Sequence, residues 1–362
     1  MDTLLQTVHF LSSRRCLGRR SGTEGSRAAR EYLIRELKQR GLQPLPQKPG
    51  YDYPLYDDGK QYAANIIGSL PGQGDLAEEY ILLEAHYDHL GEDRETESYF
   101  PGANDNAAAV AVLLDLAFAL QEKYQHSTDS GRRSLLIAFF DAEEPPFFAS
   151  PKMGAHRFCE EPPLELNKIR LGIFLDLLGH PSIPCRALEK GIFLAGSEKT
   201  GLAEFIETVD PEDPFYLHRI GIHSIPPSGN YLAFKDRGLP FFFLTSGRAA
   251  YYHSTDDSAE KLDYPKLSKI SSRLQQLTAD LLTADAAYFE HDPSAQDDRA
   301  SVLTLRRIAE CISRSVPEAD LLSIDEALKD MEKRLRHHQA LDDLDRNKLV
   351  YMLGEFEKLI RH

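Results

Sequence analysis

The decisive stretch is Ser134-Leu135-Leu136-Ile137-Ala138-Phe139-Phe140-Asp141-Ala142-Glu143-Glu144, an apolar run opened by one serine and closed by acids. A continuous apolar run of this length, shorter than an ordinary helix, fits a strand buried on both faces. Carboxylates directly behind such a strand need partners, because an unpaired buried charge is costly. The carboxyl ends of strands are also where open α/β sheets place their sites. The stretch therefore reads as the centre of the fold and as one edge of a site.

Outward from it the pattern alternates. Residues 63–68, 80–85, 171–175, 191–195 and 239–244 read as further short strands. Between them, residues 106–120 are nearly all Ala, Val and Leu and read as a buried helix. Residues 23–40 carry Ala28, Ala29, Tyr32, Leu33 and Leu37 at helical spacing, with Gly41 as a stop. Short apolar strands separated by helices predict an α/β fold: a mixed, largely parallel central sheet flanked by helices on both faces.

Beyond about residue 290 the strand signals vanish and the chain turns charged and helical. Ser323 and Glu326 form a capping-box pattern. Leu328, Met331 and Leu335, then Leu349, Leu353, Phe356 and Ile360, recur at helical spacing. The chain divides accordingly into a catalytic domain at 1–290 and a helical C-terminal extension at 291–362. The apolar stripe predicts that the extension packs on the first domain or on a second subunit, giving a homo-oligomer through the C-terminal helices.

An excess of 57 acidic over 42 basic residues leaves a net charge of −15. Such a surface repels phosphate backbones and anionic lipids, so neither nucleic acid nor membrane is an expected partner. The four cysteines show no C-x-x-C pair and fit a reduced, intracellular protein, with two disulfides as the open alternative. The start lacks a secretory pattern, and no apolar run approaches the ~20 residues that span a bilayer. Cytoplasmic localisation is the expectation.

Five segments carry potential ligands. His86 follows a strand, and Asp88 two residues on is placed to hold its second ring nitrogen. Asp105, in Gly102-Ala103-Asn104-Asp105-Asn106, opens the Ala-rich helix; bridging two cations and capping that helix both fit it. Glu143 and Glu144 divide naturally into a proton carrier and a ligand. Asp176 lies inside an apolar strand and needs a counter-charge or a proton. His253 follows the Phe241-Phe242-Phe243-Leu244 strand, where a structural histidine is the commoner case. Together these nitrogen and oxygen donors suit a pair of divalent ions of zinc-like character.

Taken in order, these segments resemble the co-catalytic double-zinc aminopeptidases of metallo-peptidase family 28, whose relatives include glutaminyl cyclases. Ala85-His86-Tyr87-Asp88-His89-Leu90-Gly91 is a common form of that family's first ligand segment, and Leu17-Gly18-Arg19 with Gly22-Thr23-Glu24-Gly25 resembles its opening. The resemblance covers roughly residues 8–288. It implies two Zn2+ ions, other divalent ions being able to substitute, with Asp105 bridging both. His86 and Asp176 would complete one ion, and Glu144 and His253 the other. Glu143 would be the general base, Asp88 the partner of His86, and Tyr252 a group polarising the carbonyl oxygen.

The implied activity is hydrolysis of the N-terminal bond of a peptide with a free amino terminus. A glutaminyl-peptide cyclotransferase on the same framework is the main alternative; a carboxypeptidase, a deacylase and a metal-free binding protein follow. Two stretches depart from the family pattern. Ser228-Gly229-Asn230-Tyr231 stands where relatives carry Ser-Asp-His or Ser-Asp-Tyr, and Pro145-Pro146-Phe147-Phe148-Ala149-Ser150 replaces a Gly-Leu-x-Gly-Ser run. The second departure is expected to reshape the substrate entrance.

Overall fold

The structure is a computed structural model; it describes residues 2–93, 97–125, 131–181, 188–208, 217–225, 227–313 and 316–361. The strands are β1 (Asp52–Asp57), β2 (Lys60–Leu70), β3 (Tyr80–His86), β4 (Glu92–Asp93), β5 (Ser98–Tyr99), β6 (Ser134–Phe140), β7 (Ile169–Asp176), β8 (Ile192–Ala195), β9 (Leu217–Ile220) and β10 (Phe241–Thr245). The helices are α1 (Asp2–Leu11), α2 (Glu24–Gln39), α3 (Ala108–Tyr124), α4 (Gly154–Glu160), α5 (Leu202–Thr208), α6 (Leu232–Lys235), α7 (Tyr264–Thr283), α8 (Asp298–Ile312), α9 (Glu318–Arg336) and α10 (Asp343–Arg361).

Eight strands form one mixed sheet in the order β1-β2-β6-β3-β7-β10-β8-β9, and β4 and β5 make a small hairpin. The central strands β6, β3, β7 and β10 are mutually parallel, so their carboxyl ends emerge along one edge. That shared direction brings residues distant in sequence to one place.

The alternation of side chains along β6 explains its uninterrupted apolar sequence. Leu135, Ile137 and Phe139 enter the core beneath α1, α2, α3 and α7. Leu136, Ala138 and Phe140 enter the opposite core, under α4 and α6. Both faces are covered, so neither phase of the two-residue period is polar. Helix α3 is apolar all round because it lies between the sheet and its neighbours α1 and α7. The stretch Ala103–Tyr124 does reach membrane-spanning length and hydropathy, contrary to the expectation from sequence, but 89% of its most apolar window is buried within the fold.

Helices α8, α9 and α10 enclose a core of their own, in which Leu328, Met331, Leu349 and Phe356 are buried. The inward stripe expected from sequence is therefore present. The capping box is not: α9 begins at Glu318 behind Pro317, which leaves Ser323 inside the helix. Phe193 and Leu353 pack against both this core and the adjoining face of the sheet. Polar ties fix the junction. Ser301 Oγ accepts from Gly221 N–H at 2.8 Å, Thr304 donates to the Arg219 carbonyl at 2.7 Å, and Arg219 pairs with Asp297. Arg346 on α10 forks onto Asp298 with both contacts at 3.0 Å.

Cys16 and Cys159 are free and buried, whereas Cys311 on α8 is disulfide-bonded. The expectation of reduced thiols fails at Cys311; Cys185 lies outside the described residues.

Candidate metal centre

Every strand-end residue singled out above arrives at the same edge. His86 is the last residue of β3, Asp176 ends β7, the glutamates follow β6, and His253 follows β10. His86 Nε2 lies 3.4 Å from Asp105 Oδ1, 3.6 Å from Asp176 Oδ1 and 3.9 Å from Glu143 Oε2. On the other side of Asp105, His253 Nε2 lies 3.2 Å from both Asp105 Oδ2 and Glu144 Oε1. The two oxygens of Asp105 thus face two different donor groups.

The loop bearing Asp105 is held from several directions. Asn106 donates to the Leu175 carbonyl at 2.9 Å and accepts from Leu177 N–H at 3.2 Å, bracketing Asp176. Asn104 accepts from Gly179 N–H at 2.7 Å. Asp257 accepts the backbone N–H groups of Asn104 and Asp105 at 2.8 and 3.0 Å. Arg19, fully buried, donates to the carbonyls of Leu11, Tyr87, Pro101, Gly102 and Asp105. Gly102 has a φ of +58°, and a Cβ there would sit 2.3 Å from the Asp105 carbonyl oxygen; only glycine fits. Asp105 accepts no amide at the start of α3, so helix capping is not its role.

Asp88 performs the orienting task at the paired glutamates. Its two oxygens accept the N–H groups of Glu143 and Glu144 at 3.2 and 3.1 Å, and Oδ1 also faces His86 Nδ1 at 3.6 Å. Behind it, Asp141 accepts from Ser21, Tyr87 and Ala64, and burial beside Asp88 raises its pKa to about 6. Ala142, Leu177 and His253, each adjoining or forming part of the cluster, have φ between +55° and +59°. Non-glycine residues held in this region carry strain of ~1–3 kcal/mol and concentrate at functional sites.

The electrostatics show what the cluster lacks. Burial alone would discharge His86 and His253. Glu143, Asp105, Asp176 and Asp88 nevertheless hold the first far above the ordinary imidazole range, and Asp105 and Glu144 lift the second to about 10. Burial opposes ionisation of Asp105 too, yet His253, His86 and His89 keep its carboxyl well below the usual range. For Glu143, burial with Glu144, Asp176 and Asp88 nearby drives the pKa up. The carboxylates outnumber the cations and draw protons onto imidazoles, a donor set that a divalent ion would balance. Asp105 Oδ2 and Asp176 Oδ1 are buried without a hydrogen bond, as expected of oxygens reserved for a metal. His86, Asp105 and Asp176 fall within mutual ligand distance, and so do His89, Asp105 and Glu144. Two donor groups sharing Asp105 fit divalent metal.

His89 was quoted in the sequence motif but given no role. It is fully buried, with Nδ1 3.3 Å from Glu144 Oε1 and 3.8 Å from Asp105 Oδ2. Its spacing of three from His86 is the one available signal. Asp257 was likewise missed, because a loop aspartate looks solvated until the backbone it holds is known. Tyr252 lines the cleft over the cluster and stacks on the His253 ring at 3.8 Å. Burial, reinforced by Asp105, Glu144 and Asp176, pushes its hydroxyl far above the ordinary phenol value, which keeps it a donor. Phe148, from the departing loop after the glutamates, also lines the cleft. At the other departure, Asn230 donates to the buried Glu84 at 2.9 Å.

A largely parallel sheet with buried histidines and carboxylates at its strand ends defines a zinc-peptidase-like α/β fold. The family model of peptidase family M28 matches residues 65–278, more than half of the chain and inclusive of every ligand candidate. The chain belongs to peptidase family M28. It shares 27% identity over 286 residues with the glutaminyl-peptide cyclotransferase of Drosophila melanogaster, spanning 73% of this chain and 77% of that protein. Two crystal structures share the fold. A Zn-dependent exopeptidase from Parabacteroides distasonis has a TM-score of 0.56 at 21% identity, over 78% of this chain and 98% of its own. Porphyromonas gingivalis glutaminyl cyclase has a TM-score of 0.58 at 19% identity, over 77% of this chain and 98% of its own.

Proposed function

We propose that the chain is a two-metal aminopeptidase, acting on peptides with a free amino terminus. The observation that carries this reading is Asp105, whose two oxygens serve two adjacent donor groups while Glu143 stands beside them in the cleft. His86, Asp105 and Asp176 would hold one zinc ion. Asp105 and Glu144 with His253, and His89 behind them, would hold the second. Such ions supply Lewis acidity, polarising a carbonyl and acidifying water.

The chain's own residues carry the protons. Glu143 takes a proton from the attacking water as its oxygen bonds to the scissile carbonyl carbon. It then delivers that proton to the departing nitrogen as the C–N bond breaks. Tyr252, kept protonated, donates toward the oxyanion that forms between these steps. Asp88 fixes the Glu143-Glu144 turn and faces His86, so it is a positioning residue.

The matched cyclotransferase supports a second reading, in which the same framework closes N-terminal glutamine into a ring with loss of ammonia. Zinc-loaded full-length protein, incubated with Leu-Gly, N-acetyl-Leu-Gly and an N-terminal glutamine peptide, separates the two by mass spectrometry. Cleavage of Leu-Gly alone supports the aminopeptidase. Loss of one ammonia from the glutamine peptide, without cleavage, overturns it. The Cys311 disulfide further favours an oxidising compartment over the cytoplasmic expectation; a thiol assay finding Cys311 free in unreduced protein would reverse that.

A further inference from the structure

The cleft above the cluster does not end within the family region. It runs from His86 and Asp176 past Phe193, Ile220 and Phe243 to Ile308 of α8 and Leu353 of α10. His86, Asp105, Glu143 and Asp176 line the metal end, and the far wall is mostly apolar, with Glu357 of α10 its one carboxylate among the described residues. That wall comes from two sources: strands β8, β9 and β10 of the sheet, and helices that lie beyond the matched residues 65–278.

We propose that the C-terminal helices are part of the substrate site, closing its far end into an apolar pocket for a bulky side chain beside the scissile bond. This rests on the aminopeptidase reading for the reaction but not for the pocket itself. Three features carry it. Leu353 is only half-buried although it packs against both apolar cores, so part of its side chain faces the cleft. Ile308 and Phe356 behind it are almost fully buried and hold the wall in place. The junction is tied by the Ser301, Thr304 and Arg346 contacts given above, so the wall is rigid rather than a loose flap. A mostly apolar wall of this kind rewards a large hydrocarbon side chain.

The test uses zinc-loaded full-length protein and isothermal calorimetry with glycinamide, leucinamide and phenylalaninamide, alongside hydrolysis of the matching aminoacyl anilides. Wild type is expected to bind phenylalaninamide at least ten times more tightly than glycinamide. Leu353→Trp, which fills the far end, should remove about tenfold of that preference and leave glycinamide unchanged. Leu353→Ala, less prone to disturb folding, should lower leucinamide binding about threefold or more with glycinamide again unchanged. Leu344→Ala, at an exposed position on the same helix, should change nothing. Equal binding of all three amides by wild type overturns the proposal, and so does an unchanged preference in both Leu353 variants. Should the anilides prove inert while the binding preference and its dependence on Leu353 persist, the pocket stands and the hydrolytic reading falls.

Discussion

The strand-end cluster and the C-terminal helices are built on opposite principles. The cluster is dense in buried charge: Asp88, Asp105, Asp141, Glu143 and Glu144 are all at least nine-tenths covered. Its order comes from hydrogen bonds that hold each carboxylate against its neighbours' repulsion. The helices enclose an ordinary apolar core, with each buried carboxylate matched to an arginine, Asp298 to Arg346 and Asp345 to Arg334. The first region sets buried carboxylates against one another within a hydrogen-bonded frame; the second is held by packing. The same kind of substitution should therefore read out differently in each.

The largest contrast is expected from Asp105→Ala. Removing the shared ligand should empty both metal positions at once, measured as bound zinc per folded chain, and abolish turnover. Retention of one ion would show that the two donor groups are independent. Next comes Glu143→Gln, which keeps shape and metal but removes the proton carrier. Turnover should fall about 10²–10⁴-fold with zinc content unchanged. Near-normal hydrolysis by the fully metallated variant would sink that role.

In the helices, Leu328→Ala should cost about 2–5 kcal/mol of stability, the usual range for a buried leucine, read by denaturant unfolding. Zinc affinity should stay the same. A drop in zinc affinity of tenfold or more would mean that the two regions are not separable.

The last contrast is a pH slope. Burial lowers Lys266 to about 7, while its Nζ reaches the His180 carbonyl at 2.6 Å and Ser246 at 2.8 Å. Between pH ~7 and the ordinary lysine value of 10.5 the unfolded chain holds this proton and the native chain does not. Stability therefore rises with pH across that window. Lys266→Met should flatten the rise; an equal slope in both proteins would show that the amine stays charged when buried.

The two regions were also unequally legible. Strands β3 and β6 declare themselves because burial on both faces leaves continuous apolar runs, residues 81–83 in β3 and 135–140 in β6. Strand β9, with His218 and Arg219 in its four residues, and β1, with Asp52 and Asp57 at its ends, are edge strands and carry no such run. Glu144 was readable as a ligand candidate because its charge follows a buried apolar strand, whereas Asp105, between two asparagines, was singled out through the family resemblance. His89 and Asp257 were not, since their burial is created by loops that sequence spacing does not describe. In the helices the apolar spacing was readable and the start of α9 was not. A Ser-x-x-Glu pattern recurs by chance in any polar helix, and Pro317 marks the true entry. What no spacing could reveal is that Leu353 would reach the cleft.

Arg19 gives the arrangement a further property. Its guanidinium meets five carbonyl oxygens and no carboxylate, drawing residues 11, 87, 101, 102 and 105 around one planar group. It acts as a mould for the Asp105 loop, and the mould is supplied by the opposite end of the catalytic region. Zinc then does not have to gather its ligands from a disordered loop; it enters a seat already cast.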